Sequence, residues 1–76
     1  MTKLEFLKKE IEEKFSYDGY SIIDIPDFYY IRIKTNDGIF GGKFLRMITC
    51  MKMPFFIDCN DKEIYISRYD LAEYKE

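Results

Sequence analysis

The sequence predicts one small α+β domain, an N-terminal helix packed on an antiparallel sheet of four to five strands in the order α-β-β-(β)-α-β-β. Three features carry that expectation. A capped apolar stripe at helical spacing opens the chain, period-two alternation marks residues 28–35 and 63–68, and turn-forming clusters separate the runs. Seventy-six residues make a single domain, 1–76, with no repeat and no internal linker.

Thr2-Lys3-Leu4-Glu5 matches a capping box, in which Thr2 caps and Glu5 reaches back. Behind it Leu4, Leu7, Ile11 and Phe15 share one helical stripe, and Glu5–Lys9 and Glu10–Lys14 are i,i+4 pairs in the favourable order, so a helix is expected over 3–15. Asp18-Gly19 should break it. Residues 20–25 read as a strand, and Pro26-Asp27 as a tight connection. Over 28–35, Tyr29, Ile31 and Ile33 point to one face, and Phe28, Tyr30, Arg32 and Lys34 to the other. Asn36-Asp37-Gly38 is a hairpin-type turn, after which Ile39-Phe40 should begin a return strand that Gly41-Gly42 interrupts. Residues 43–51 fit both a helical stripe (Phe44, Met47, Ile48, Met51) and straight alternation, and a short helix is expected. Residues 55–59 and 63–68 form a second hairpin around Asn60-Asp61-Lys62, and Ser67 with Asp70 caps a last turn running to Tyr74.

Composition narrows the chemistry. The chain has no histidine, so both the usual metal ligand and the usual neutral-pH base are missing. Cys50 and Cys59 allow at most one disulfide and cannot close a zinc site; two small buried hydrophobes are expected. Asp24/Asp27 and Asp58/Asp61/Glu63 are the carboxylate sets that acid–base work would need, but they sit at turns, where Asp serves the backbone. Residues 38–43 (Gly38-Ile39-Phe40-Gly41-Gly42-Lys43) resemble a phosphate loop only loosely. Asp37 stands where the first glycine is required and Phe44 where a magnesium-holding hydroxyl is required, so a bulge or turn allowing close approach is expected instead. The resulting expectation is a chain without enzymatic activity, metal or cofactor.

The first residues do not form a signal peptide and no apolar run is long enough to span a bilayer, which predicts a cytoplasmic protein that needs no membrane. Eleven Ile, nine Lys, seven Phe and seven Tyr beside one Ala and no Val reflect A/T-rich codons rather than packing, since Val and Ile are nearly interchangeable in strands. The bias points to a low-GC bacterium or one of its phages. Net charge is −2, with a basic middle (+4 over residues 28–53) flanked by acidic stretches.

Phe28, Tyr30, Arg32 and Lys34, extended by Tyr65 and then Tyr69, place aromatic and basic groups on one sheet face. Such a face suits a protein interface, since Tyr and Arg supply contact area at little entropic expense. It also resembles single-strand nucleic-acid platforms, which the acidic net charge disfavours. The third possibility is cover by the protein's own loops. Phe6 lies about 200° around the helix from Leu4, on the charged side, and is a second candidate contact. Fourteen aromatics on so small a core also favour a homodimer. The function expected is a non-catalytic protein-binding module, a phage or mobile-element inhibitor or modulator that occludes a host protein in the host cytoplasm. A nucleic-acid-binding accessory is the alternative.

Overall fold

Thr2 starts the first helix as predicted. In the computed structural model, which describes residues 2–71, the Thr2 hydroxyl accepts the Glu5 amide at 3.1 Å while the Glu5 carboxylate accepts the Thr2 amide at 3.2 Å. Hydrogen bonds from the Thr2 amide and then the Thr2 hydroxyl draw the Glu5 carboxyl below its usual range. The helix (α1, 3–18) is α-helical over Lys3–Glu10, widens to a π turn over Ile11–Phe15 and tightens to 3-10 over Ser16–Asp18. It is therefore three residues longer than the stripe suggested. Gly19 ends it at φ +83°, with its amide on the Ser16 carbonyl and the next amide, Tyr20's, on Phe15's. A side chain at Gly19 would also strike Asn36 at 2.6 Å.

Four strands follow: β1 (Ser21–Ile23), β2 (Tyr30–Lys34), β3 (Phe55–Asp58) and β4 (Glu63–Ser67). All neighbours are antiparallel, in the order β1-β2-β4-β3. The chain crosses from β2 to the far edge through a helix, α2 (Gly42–Cys50), and closes with a 3-10 turn, Tyr69–Leu71. The architecture is thus α+β, and residues 43–51 resolve as helix. The apolar stripe of α2, with Phe44 and Ile48 fully buried, decides between the two patterns the sequence allowed. The Ser67 hydroxyl accepts the Tyr69 amide at 3.2 Å; the remainder of the predicted turn, to Tyr74, lies outside the described residues.

The pleat puts Ile31, Ile33, Ile64 and Ile66 on one face, where they meet Leu7, Ile11 and Phe15 of α1 and Phe44 and Ile48 of α2. Among the described residues, no helix packs on the other face. Fully burying one such aliphatic side chain is worth about 1.5–3 kcal/mol, so this layer is what holds the fold together.

Several expectations need correction. Residues 39–40 form no strand. The Thr35–Gly38 turn forms, with Gly38 at φ +73°, but β1 and β4 already occupy both edges of β2, so a returning strand has nowhere to pair. Phe40 packs on Tyr20 and Phe44 instead. Within residues 38–43 the turn with close approach is made by Gly38, where a Cβ would strike Lys62 at 2.6 Å; at Gly42 a Cβ meets nothing within 4 Å, and Gly41 is the N-cap of α2, its amide donating to the Tyr20 hydroxyl at 2.8 Å. Cys50 and Cys59 are exposed free thiols rather than core residues, because one ends α2 and the other opens the β3–β4 turn. Tyr29, assigned inward by alternation, is exposed because β2 begins only at Tyr30.

Candidate functional site

The pleat of the uncovered face collects the predicted stripe. Tyr30, Arg32 and Lys34 of β2 alternate with the buried Ile31 and Ile33, so they point away from the helices. Register then builds rows across the sheet. Lys34 pairs with Glu63, and Glu63 with Asp58. Ile23, Arg32, Tyr65 and Phe56 form the next row, and Tyr30 lies opposite Ser67.

Aromatic rings fill the middle. Phe56 stacks on Tyr65 (centroids 5.1 Å apart, planes 16° apart), and Tyr30 meets both edge-on at 5.6 and 5.8 Å. Tyr29 adds a further edge contact to Tyr30 at 4.9 Å. The Arg32 guanidinium lies 5.9 Å from the Phe28 ring, a favourable cation–π arrangement. Tyr29, Tyr30, Phe56 and Tyr65 touch one another, yet Tyr29 and Phe56 are 61 and 50% exposed, and Phe28 beside Arg32 is 58% exposed. A groove of about 230 Å³ opens at one end, lined by Tyr29, Tyr30, Pro54, Phe55, Phe56, Ser67 and Asp70.

Arg68, which the sequence reading passed over, positions part of this patch. Its Nη2 donates to the Ile25 carbonyl at 2.7 Å, its Nε to the Phe28 carbonyl at 3.0 Å, and its Nη1 pairs with Asp24 at 2.8 Å. Lys8 of α1 binds the other Asp24 oxygen at 2.7 Å. Hydrogen bonds from Lys8 and then Arg68 hold the Asp24 carboxyl below its usual range. Residues 24–29 are thereby clamped to β4 and α1, and Phe28 and Tyr29 are held at the rim.

No protein-family model matches the chain, and no curated protein or solved structure matches it either. The site is therefore read from its own chemistry. Of the six predicted contact residues, the structure brings together Phe28, Tyr30, Arg32, Lys34 and Tyr65. Phe6 is not among them. It is partly buried and packs against the core, because α1 also contacts the 69–71 turn and so buries a wider arc than one stripe. Tyr69 is 80% exposed but lies beyond the end of β4, in the closing turn.

Phe56 is the main residue missed. Counting outward from the Asn60-Asp61-Lys62 turn pairs Asp58 with Glu63, and hence Phe56 with Tyr65, so hairpin register could have found it. Glu63 also belongs to the face. Its side chain is 10% exposed, one oxygen lies 3.9 Å from Arg32, and the other has no hydrogen-bond partner. Asp58 serves the β3–β4 turn, its carboxylate accepting the Asn60 and Asp61 amides at 2.8 and 3.2 Å. Among the described residues no three Cys, Asp or Glu side chains converge as metal ligands, and no helix is long and apolar enough to cross a membrane.

Proposed function

We propose that this chain is a non-catalytic protein-binding module whose uncovered sheet face docks a protein partner. The supporting observation is the contiguous ring cluster of Tyr29, Tyr30, Phe56 and Tyr65, packed ring on ring yet left open by both helices. Interfaces are enriched in Tyr, Phe and Arg, and a few such anchors carry most of their energy. The rings are ordered by their mutual contacts before any partner arrives, which lowers the entropy lost on binding. The setting we propose is a phage or mobile element of a low-GC bacterium. There the module would inhibit or modulate a host protein by occluding its surface in the host cytoplasm.

The charges on this face support protein over nucleic acid. Arg32 and Lys34 are accompanied there by Glu63 and Asp58, so little net positive field is left for phosphates. The test is affinity capture from a low-GC bacterial lysate, with Tyr30→Ala/Phe56→Ala as the matched control. A partner held by the wild type and lost by the variant supports the reading; capture unchanged by the variant overturns it. Single-stranded oligonucleotide bound with steep salt dependence would move the assignment to the nucleic-acid alternative.

A further inference from the structure

We infer that a second copy of this chain occupies the face, the two sheets packing outer face to outer face around a twofold axis between β2 and β4. This rests on the reading of the face as a protein-docking surface: the second copy covers it until a host partner displaces it.

A twofold interface brings one patch against itself, so the patch must be self-complementary. A face of a single charge sign would repel its own copy. This one divides its signs by strand: Arg32 and Lys34 are on β2, Glu63 on β4 and Asp58 on β3. An axis parallel to the strands and midway between β2 and β4 lays each β2 over the β4 of the second copy. Paired residues sit at the same height along the strands. Lys34 of one copy therefore comes over Glu63 of the other, Arg32 over Tyr65, Tyr30 over Ser67 and Ile23 over Phe56. Each is a favourable match: ion pair, cation on ring, hydroxyl on hydroxyl, apolar on apolar. The aligned packing of two sheets about 10 Å apart accommodates it.

Area agrees. The exposed fractions of Phe28, Tyr29, Tyr30 and Phe56 add up to about two whole rings, or roughly 400 Å² at about 200 Å² a ring. A standard interface takes roughly 800 Å² from each partner, a little over half of it apolar. The edge of β3 is a weaker candidate for self-pairing, because it is four residues long and bounded by Pro54 and Asp58.

The test is sedimentation equilibrium of the full chain at concentrations up to about 100 µM, a range that resolves micromolar dimers. The wild type should dimerise. Lys34→Glu and Glu63→Lys should each weaken the dimer at least tenfold, since both place like charges face to face. An equimolar mixture of the two variants should dimerise again, because every cross-face pair then has opposite signs. Mixing cannot restore a contact within one chain, so recovery assigns the pairing to the interface. A monomeric wild type overturns the inference, and so does a mixture of folded variants that stays monomeric. Should Glu63→Lys not fold, Phe56→Glu, at a half-exposed position, must give a monomer; a dimer that tolerates it also overturns the inference. The docking reading fails separately, through lysate capture indifferent to Tyr30 and Phe56.

Discussion

Two aromatic clusters lie in this molecule, one on each side of the sheet. Phe15, Tyr20, Phe40 and Phe44 have ring centroids 4.7–6.3 Å apart, while Tyr29, Tyr30, Phe56 and Tyr65 have theirs 4.9–5.8 Å apart. Ring geometry does not tell them apart; cover does. The first cluster lies under the helices, with Phe44 fully buried. Among the described residues no helix covers the second, and Phe56 is half exposed. Ring-on-ring contact adds about 0.5–1.5 kcal/mol a pair in either place, whereas full removal from water adds several times that. The inner cluster therefore holds the fold, and the outer one is held by it.

The largest effect should come from Phe44→Ala. It opens a cavity in the sealed cluster and should destabilise by about 3–5 kcal/mol in urea denaturation, enough to unfold much of a domain this small. A loss under 1 kcal/mol would erase the distinction between the clusters. Next comes Arg68→Ala, which removes three charge-assisted contacts from the 24–29 segment. About 2 kcal/mol is expected, together with faster hydrogen exchange at the Phe28 amide, which donates to Ile25 at 3.0 Å.

The same clamp has a pH signature. The folded-state carboxyl of Asp24 lies below its unfolded value. Its stabilisation is therefore fully present above the unfolded pKa of about 3.9 and is lost as pH falls through the lower folded value. Melting temperatures followed from pH 6 to pH 2 should fall less steeply for Asp24→Asn than for the wild type. Parallel profiles would remove Asp24 from the acid response.

Tyr20→Phe sharpens the comparison from the inner side. It keeps the ring and removes only the hydroxyl that accepts the Gly41 amide, so a loss of about 1 kcal/mol in thermal unfolding is expected. Tyr30→Ala with Phe56→Ala removes the four outer ring contacts and should cost about 1 kcal/mol per ring removed, well below Phe44→Ala. It should also lower the binding of a hydrophobic dye to the native protein. If this pair proves as destabilising as Phe44→Ala, the outer face is core by another name.

Local signals gave a good account of most elements. The capping box, the Leu7-Ile11-Phe15 stripe and the alternation around Ile31 and Ile33 each depend on residues a few positions apart, and each appears in the structure. Alternation also predicted the direction of Tyr30, Arg32 and Lys34, because a strand can turn its side chains only two ways. Alternation erred at Tyr29, where the strand had not yet begun, and helical spacing erred at Phe6, which packs against the core.

From the sequence alone came the types of most elements, the two faces of β2 and the five predicted contact residues that the structure brings together. Strand order was decided by tertiary structure. Inserting β4 beside β2 denied residues 39–40 a partner, sent Phe40 into the core, and brought Phe56 and Glu63 onto the outer face. The reason is physical: a helix cap or a pleat is satisfied by neighbours in the chain, whereas a strand's hydrogen bonds are satisfied by whichever distant segment reaches its edge first and buries most.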